Sequence, residues 1–487
     1  MEINLGLQDL LRITPLIALF ITSLLPISIK VLNGNKEPNP LVALSIGLLG
    51  SLVSAMFLGI FQGEGNPAFH RALVFDGLTF WVGISALIVT MGALLLAYES
   101  PSTDKNLFSE YVFLLLSSAL GMLVLISALD LLVVFIGLEI MSLSLYLLIA
   151  MGSEQKLSKE SAFKYFLLGS FASAIMLYGV SFLYGTAGST YISDIVERAP
   201  DFISSSRLFL IGVGLVIVGF CFKVSIVPFH AWTPDVYQGA ATPLSAYMST
   251  AVKLGSMAAF LRFVTIKPLA YSENLLDIVQ WLAVLTMIVG NVAAIRQESV
   301  KRMLAYSSVA HSGYLLVGVL SSSISANSSF AQSGVIFYLI SYAIMTFGAF
   351  AVVNIFEVNE NTQLLVGDMA GFSKRRPVLA FCLTLFLLSL AGIPPTVGFF
   401  GKFYLFSAAL AEGRLWAVLW GVINSVISVY YYLRPIVLMY MHDSNKEEDA
   451  ERSIPATEIA IVVTMILVVS LGFFSDYLFK AVEKSLL

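Results

Sequence analysis

Apolar runs of about 20 residues recur from one end of this 487-residue chain to the other, and each can cross the roughly 30 Å hydrocarbon layer of a bilayer. In hydrocarbon every backbone N–H and C=O must find its partner inside the chain, so runs of this length have to be helices. Composition agrees, with 58% hydrophobic and 12% charged residues against about 25% charged in soluble domains. The chain reads as an all-α polytopic membrane protein with almost nothing outside the bilayer. The runs lie near 11–31, 40–61, 76–98, 110–128, 131–151, 160–185, 207–227, 242–265, 275–295, 300–320, 331–356, 378–411, 415–440 and 456–480, which gives about fourteen spans by the twenty-residue rule. No basic segment precedes the first run, so it reads as a retained helix rather than a cleaved signal.

The thinnest separation between spans is Ala128-Leu129-Asp130, and the polar stretch Ser321 to Ser333 reads as a short external loop. The charged segment Asp443 to Arg452 reads as a solvated loop, with a docking surface as the other reading. Lys and Arg concentrate in the odd-numbered loops, among them Lys301, Arg302, Lys374, Arg375 and Arg376. That places the odd loops in the cytoplasm and both termini outside. A net charge of −4 gives no sign of nucleic-acid binding. Cys221 and Cys382 lie in apolar runs without CxxC spacing, and the four histidines are scattered, so a metal or haem site has little support. No P-loop or GxGxxG motif follows a strand.

Against this background Glu139, Lys223, Lys253 and Lys402 stand out, because they lie inside or close to spans. An ionisable group at the bilayer centre costs roughly 2.5–3.5 kcal/mol and is normally retained for function. Glu139 sits about eight residues from one end of its span and twelve from the other, or ~12–18 Å, too deep for a short side chain to reach water. Lys253 is near the middle of its run. Lys223 is close to an end, but Pro228 follows it and leaves the Val224 carbonyl without its helical donor. Pro394 and Pro395 do the same to the carbonyls of Leu390 and Ala391, just ahead of Lys402. Two broken helices, each with a lysine at the break, suggest a transporter built from two structural repeats. The run 378–411 should therefore be discontinuous between Leu390 and Gly401. Lys164 reads as an interfacial anchor or a relay member, and His311 as a core histidine or a relay member, with Tyr306, Ser307 and Ser308 able to hold water beside it. Burial disfavours a charged lysine and a nearby carboxylate favours it, so a moving glutamate–lysine pair can switch a lysine between holding and releasing a proton.

The segments that carry these residues resemble a known family over nearly the whole chain. They are Gly137-Leu138-Glu139-Ile140-Met141-Ser142-Leu143, Lys164-Tyr165-Phe166-Leu167-Leu168-Gly169, the run Phe222 to Ala240 with Lys223, Pro228, His230, Trp232 and Asp235, then Leu304 to Ser308, and Ala391 to Phe403. They are similar to the antiporter-like subunits of respiratory complex I. Within that family Lys402 and the chain's end at Leu487 favour the subunit N branch of bacterial NADH:quinone oxidoreductase over the M and L branches. The resemblance implies fourteen helices with two inverted five-helix repeats. The single transmembrane domain would then divide into N-terminal helices (1–108), a first repeat (109–266), a second repeat (274–440), and an acidic loop with the last helix (441–487).

The resemblance further implies that Glu139 pairs with Lys223, that Lys253 is the central relay, and that Lys402 opens toward the outer side. Lys164 and His311 would belong to the same hydrophilic axis, and Lys253, His311 and Lys402 would form a hydrated line at mid-depth. It places the chain in a bacterial inner membrane as a proton-translocating subunit among other membrane subunits and lipid. No redox site and no cofactor would lie in this chain, with NAD, FMN, iron–sulfur clusters and quinone in partner subunits. The alternatives are a subunit of an Mrp-type cation/proton antiporter and a membrane subunit of a hydrogenase-type complex, since similar folds serve each.

Overall fold

The computed structural model describes residues 7–61, 67–152, 155–203, 205–265, 273–324, 328–356, 364–443 and 454–486. Among them, eleven helices are long and apolar enough to cross a membrane, and further crossings are assembled from shorter pieces. The first part holds α1 (Leu7–Arg12), α2 (Thr14–Leu32), α3 (Pro40–Ile60) and α4 (Gly77–Glu99). It is followed by α5 (Phe108–Ser127), α6 (Leu131–Ala150), α7 (Gln155–Ala187), the short α8 (Ile192–Ile203) and α9 (Arg207–Lys223). After a break come α10 (Trp232–Gly239), α11 (Thr242–Tyr247), a π turn over Met248–Val252, and α12 (Lys253–Thr265). The second part holds α13 (Glu273–Ile295), α14 (Val300–Ile324), α15 (Ser328–Phe356), α16 (Phe372–Arg375), α17 (Pro377–Ala391), α18 (Val397–Ala411), α19 (Leu415–Met441), α20 (Pro455–Phe473) and α21 (Ser475–Leu486).

The helix starts follow local chemistry. Proline opens α3, α17 and α20, where its missing N–H removes no helical bond. The side chains of Asn39, Asp76, Asp130 and Ser206 cap α3, α4, α6 and α9 by accepting first-turn N–H groups. Asp130 also accepts from the Thr190 hydroxyl at 2.6 Å, which turns the thin Ala128–Asp130 connection into a fixed corner. The broken run near 378–411 separates into α17 and α18, with Gly392 in the left-handed region at φ +88°.

Two boundaries differ from the sequence reading. The stretch Ser321–Ile324 continues α14, because the hydroxyls of Ser321, Ser322 and Ser323 bond back to carbonyls one turn earlier and so remain satisfied while buried. α15 already begins at Ser328, so the loop is shorter than expected. The last span ends at Phe473, and a separate helix, α21, packs against α4, where Trp81 donates to the Ser485 hydroxyl at 3.0 Å. Most of the acidic segment 443–452 lies outside the described residues; its first residue, Asp443, pairs with Lys374.

Two helix pairs cross at close range. At Gly137 on α6 an added Cβ would lie 2.7 Å from the Leu125 nitrogen of α5, and at Gly290 on α13 it would lie 2.5 Å from the Ala310 nitrogen of α14. Glycine at these crossings lets backbones touch, as membrane helices do where packing alone holds them. α14 and α15 form the centre and are almost entirely buried. The outer helices present Phe20, Phe171, Val426 and Ile459 outward, a surface suited to lipid or neighbouring subunits.

One ion pair locks the end of α12 to its neighbours. Arg262 of α12 makes a two-pronged pair with Asp76 at 2.8 Å on each arm, and its Nε donates to the Ile126 carbonyl at 3.1 Å. This joins α12, α5 and the start of α4. Burial pushes the Asp76 carboxyl up, but the guanidinium and the Thr79 hydrogen bonds outweigh it and hold it below the usual carboxylate range. The depressed value means that this stabilisation is present above the ordinary aspartate pKa and is lost as pH falls through the lower folded value. Arg262→Ala should lower stability by about 1–3 kcal/mol by stranding a part-buried carboxylate. Thermal unfolding of the purified protein at neutral pH should show this as a lower Tm, with the gap to wild type narrowing in acid. An equal Tm at neutral pH would show that the pair does not hold these helices.

Candidate functional site

The site is a line of buried polar groups running from α6 to α18. At its first end, α6 carries Glu139 on a part-buried face, where the carboxylate accepts a hydrogen bond from Ser173 of α7. One turn on, Ser142 accepts a hydrogen bond from the Lys223 amine at 2.6 Å and itself donates to the Leu138 carbonyl. Lys223 is buried at the last turn of α9 and faces the rings of Tyr165 (5.1 Å) and Tyr146 (5.7 Å). Glu139 and Lys223 form no ion pair within 4.0 Å in this arrangement; each is held by its own serine. The direct pairing implied by resemblance is therefore open here, because Glu139 points to α7 while Ser142, three residues on, meets the lysine.

The break after Lys223 spans residues 224–231, and Pro228 lies within it. Trp232, the first residue of α10, donates from its indole to the Phe222 carbonyl at 3.0 Å and stacks on Tyr165. The Ser225 and Thr233 hydroxyls bond to each other across the break at 2.6 Å. His230 is half-buried, and its Nδ1 has no hydrogen-bond partner.

Lys164 is somewhere else. Its side chain is 42% exposed and pairs with Glu160 at 2.7 Å and Asp235 at 3.0 Å. Asp235 also pairs with Arg302 of α14 at 2.7 Å. Lys164 thus belongs to an ionic cluster at the mouth of the first broken helix and is not brought to the buried line.

Lys253 begins α12 directly after the π turn, a device often found at functional sites. Its amine is 2% exposed as a residue and donates to both the carbonyl and the hydroxyl of Ser308. Ser308 lies three residues before His311 on α14, on the same face. The two His311 ring nitrogens meet two phenols: Nδ1 to Tyr338 at 2.6 Å and Nε2 to Tyr432 at 3.1 Å. Tyr432 in turn bonds Ser307. The Tyr314 ring stands edge-on to His311 with centroids 5.6 Å apart, and the Lys402 amine lies 5.0 Å from the same ring.

Lys402 closes the second break. Its amine donates to the Leu390 carbonyl at 3.1 Å, the Ala391 carbonyl at 2.9 Å and the Ser425 hydroxyl at 2.8 Å. These are the two carbonyls that Pro394 and Pro395 deprive of helical donors. Lys253, His311 and Lys402, on α12, α14 and α18, are thereby linked through Ser308 and Tyr314. Sequence reasoning missed Ser142, Ser173, Tyr314, Tyr338, Tyr432 and Ser425. None of these has a motif of its own, and the only signal was polar residues at helical spacing in otherwise apolar runs.

Among the described residues no three His, Cys, Asp or Glu side chains converge on a point that could hold a metal ion. Cys221 and Cys382 are separate and buried.

A family model described as NADH:quinone oxidoreductase/Mrp antiporter, TM, matches residues 128–428. The chain belongs to this family. NADH-quinone oxidoreductase subunit N of Bdellovibrio bacteriovorus is 58% identical over 487 residues, all of both chains. The subunit N of Trichlorobacter lovleyi is 39% identical over 93% of this chain and 92% of its own. Among solved structures, a chain of respiratory complex I from Thermus thermophilus with bound aureothin superimposes with a TM-score of 0.82 at 29% identity, covering 96% of this chain and 99% of that one. A chain of the Mrp complex from Dietzia sp. superimposes at 0.83 with 19% identity, covering 99% and 97%, a likeness of fold alone. In this antiporter family member, the buried line just described occupies the helices that the family model spans.

Lys402→Met should leave the Leu390 carbonyl without a donor, at about 1–3 kcal/mol for the orphaned group, and the Ala391 carbonyl with the Ser425 hydroxyl at 3.2 Å. A lower Tm together with faster amide exchange around residues 392–400 is the expected result. Unchanged exchange there would mean that the lysine does not hold the break.

Proposed function

We propose that this chain is a proton-translocating membrane subunit of NADH:quinone oxidoreductase, moving protons along Glu139, Lys223, Lys253, His311 and Lys402, with no redox step of its own. The observation that carries the relay is the His311 ring held by a phenol at each nitrogen, one turn from the serine that binds the Lys253 amine. A neutral imidazole is a donor at one nitrogen and an acceptor at the other. A proton delivered to the acceptor side can therefore be matched by release from the donor side, and the ring passes a proton without moving.

The Glu139–Lys223 pair supplies the switch. With Glu139 on Ser173 and Lys223 on Ser142 the pair is open, and closing it would favour the charged lysine. The Lys164–Asp235–Arg302 cluster guards the mouth of the same half. Lys402, last in the series, opens toward the outer side. The two breaks support a division into N-terminal helices (1–108), first repeat (109–266), second repeat (274–440) and C-terminal part (441–487). In this reading the chain sits in a bacterial inner membrane with both termini outside, an orientation that the Lys/Arg-rich loops support. Its partners are other membrane subunits of the complex, and NAD, FMN, iron–sulfur clusters and quinone belong to the partner subunits.

An Mrp-type antiporter subunit is the second reading, favoured by the fold likeness to the Dietzia Mrp complex. Co-purification separates the two readings, since a tagged chain should bring down NADH-oxidising subunits. In membrane vesicles holding the assembled complex, Glu139→Gln and Lys253→Ala should each cut NADH-driven proton uptake by about tenfold or more, the range for losing a positioned proton-transfer group. Full pumping with normal assembly in both variants would overturn the relay.

A further inference from the structure

The three buried lysines of the line are held in different ways. Among the described residues, Lys402 donates to two carbonyls and a hydroxyl, and Lys253 to a carbonyl and a hydroxyl. Lys223 donates to the Ser142 hydroxyl alone. Rings make up the difference. One ring faces Lys253 and one faces Lys402. Three face Lys223, with centroids 5.1 Å (Tyr165), 5.7 Å (Tyr146) and 5.8 Å (Phe222) from its amine. At that range the negative face of a ring attracts a cation, most strongly where water is excluded, and Lys223 is 4% exposed.

The rings are fixed from behind. Trp232 stacks on Tyr165 at 4.6 Å and leans on Phe222 at 5.6 Å, while its indole donates to the Phe222 carbonyl. Tyr146 meets Tyr165 edge-on at 4.8 Å. Trp232 opens the helix beyond the first break, so the break itself brings the back wall into place.

Tyr146 fits because residue 169 is glycine. A Cβ there would collide with the Tyr146 hydroxyl oxygen and lie 3.1 Å from its Cζ. Tyr165, Gly169 and Ser173 follow at i, i+4 spacing on α7 and so share one face. Tyr146, Ser142 and Glu139 stand on the facing side of α6 at i, i+4 and i+3 spacing. One face of α7 therefore holds both members of the open pair. Ser173 donates to the Glu139 carboxylate, Tyr165 faces the Lys223 amine, and Gly169 between them admits Tyr146.

We propose that Tyr146, Tyr165 and Phe222 form an aromatic box that keeps the Lys223 amine charged while Glu139 is held away on Ser173, and that Gly169 is the positioning residue that lets the box close. A ring favours a cation over a neutral amine and imposes no fixed N–H direction. The amine can therefore turn toward Glu139 without breaking a set of directed bonds, which the carbonyl-bound Lys402 cannot do. The part of the box in pumping rests on the relay reading.

Two measurements test the box. In thermal unfolding of the purified chain, a trifluorinated phenylalanine at position 165 should lower Tm relative to Tyr165→Phe, because fluorine drains the ring face and leaves the ring in place. The difference should vanish in a Lys223→Met background. A difference of equal size in both backgrounds, or none in either, would overturn the box whatever the relay does. In vesicles holding the assembled complex, the trifluorinated ring should lower NADH-driven proton uptake several-fold relative to Tyr165→Phe. Gly169→Ala should lower uptake below wild type, and Tyr146→Phe in the same chain should restore most of it by removing the colliding hydroxyl. Equal uptake with the two rings, or no restoration, would overturn the box, and with Lys253→Ala inactive the relay would still stand. Full uptake in Lys253→Ala would overturn the relay, and the unfolding comparison then decides the box on its own. Chain abundance in the vesicles, measured for every variant, separates these outcomes from failed insertion.

Discussion

The Lys402 amine does what a helix normally does for itself: it satisfies the carbonyls of Leu390 and Ala391. Hydrocarbon offers no alternative donor, so a break at that depth needs a polar group brought from elsewhere in the chain. That requirement fixes the position of α18 relative to α17, and Ser425 of α19 completes the amine's third hydrogen bond. The first break has another arrangement, in which the Trp232 indole takes the Phe222 carbonyl and Lys223 is free to reach Ser142. The two breaks therefore leave their lysines in different states. One amine is anchored to backbone, and the other is bound through a single hydroxyl.

Buried tyrosines give the line its continuity. Each lysine amine is held by serines or carbonyls, and a charged group in an apolar interior is costly. Phenols lower that cost in two ways, by offering a hydroxyl and by presenting a ring face to a cation. Tyr146 and Tyr165 do this for Lys223, Tyr342 for Lys253 and Tyr314 for Lys402. The same residues fill volume, so the core is closely packed and still carries polar groups through its centre.

How much of this could be read in the sequence depended on the kind of signal. The second break was legible residue by residue, because proline removes a defined donor from a defined carbonyl, and Lys402 follows directly. Spans were legible because lipid enforces length, although serines at 321–323 were misleading: hydroxyls that bond back to the helix look polar in sequence and behave as satisfied in structure. The open Glu139–Lys223 arrangement was not legible, since motif spacing says that two groups belong together and nothing about which serine each one holds. Nor was the surface position of Lys164, because Asp235 and Arg302 come from distant parts of the chain. Tyr338 and Tyr432 approach His311 from α15 and α19, and no local pattern marks either.

The π turn at Met248–Val252 has a consequence for how the chain tolerates change in length. A π turn holds one more residue than the α turn it replaces, so it offsets the angular phase of the helix by about 100° at that point. Lys253 meets Ser308 with that offset in place. Losing a single residue from the turn would leave the span long enough for the bilayer and its ends close to where they are. It would nevertheless rotate the lysine off its partner relative to the segment before it. Hydropathy would register no defect in such a chain, yet its central base would face the wrong neighbour.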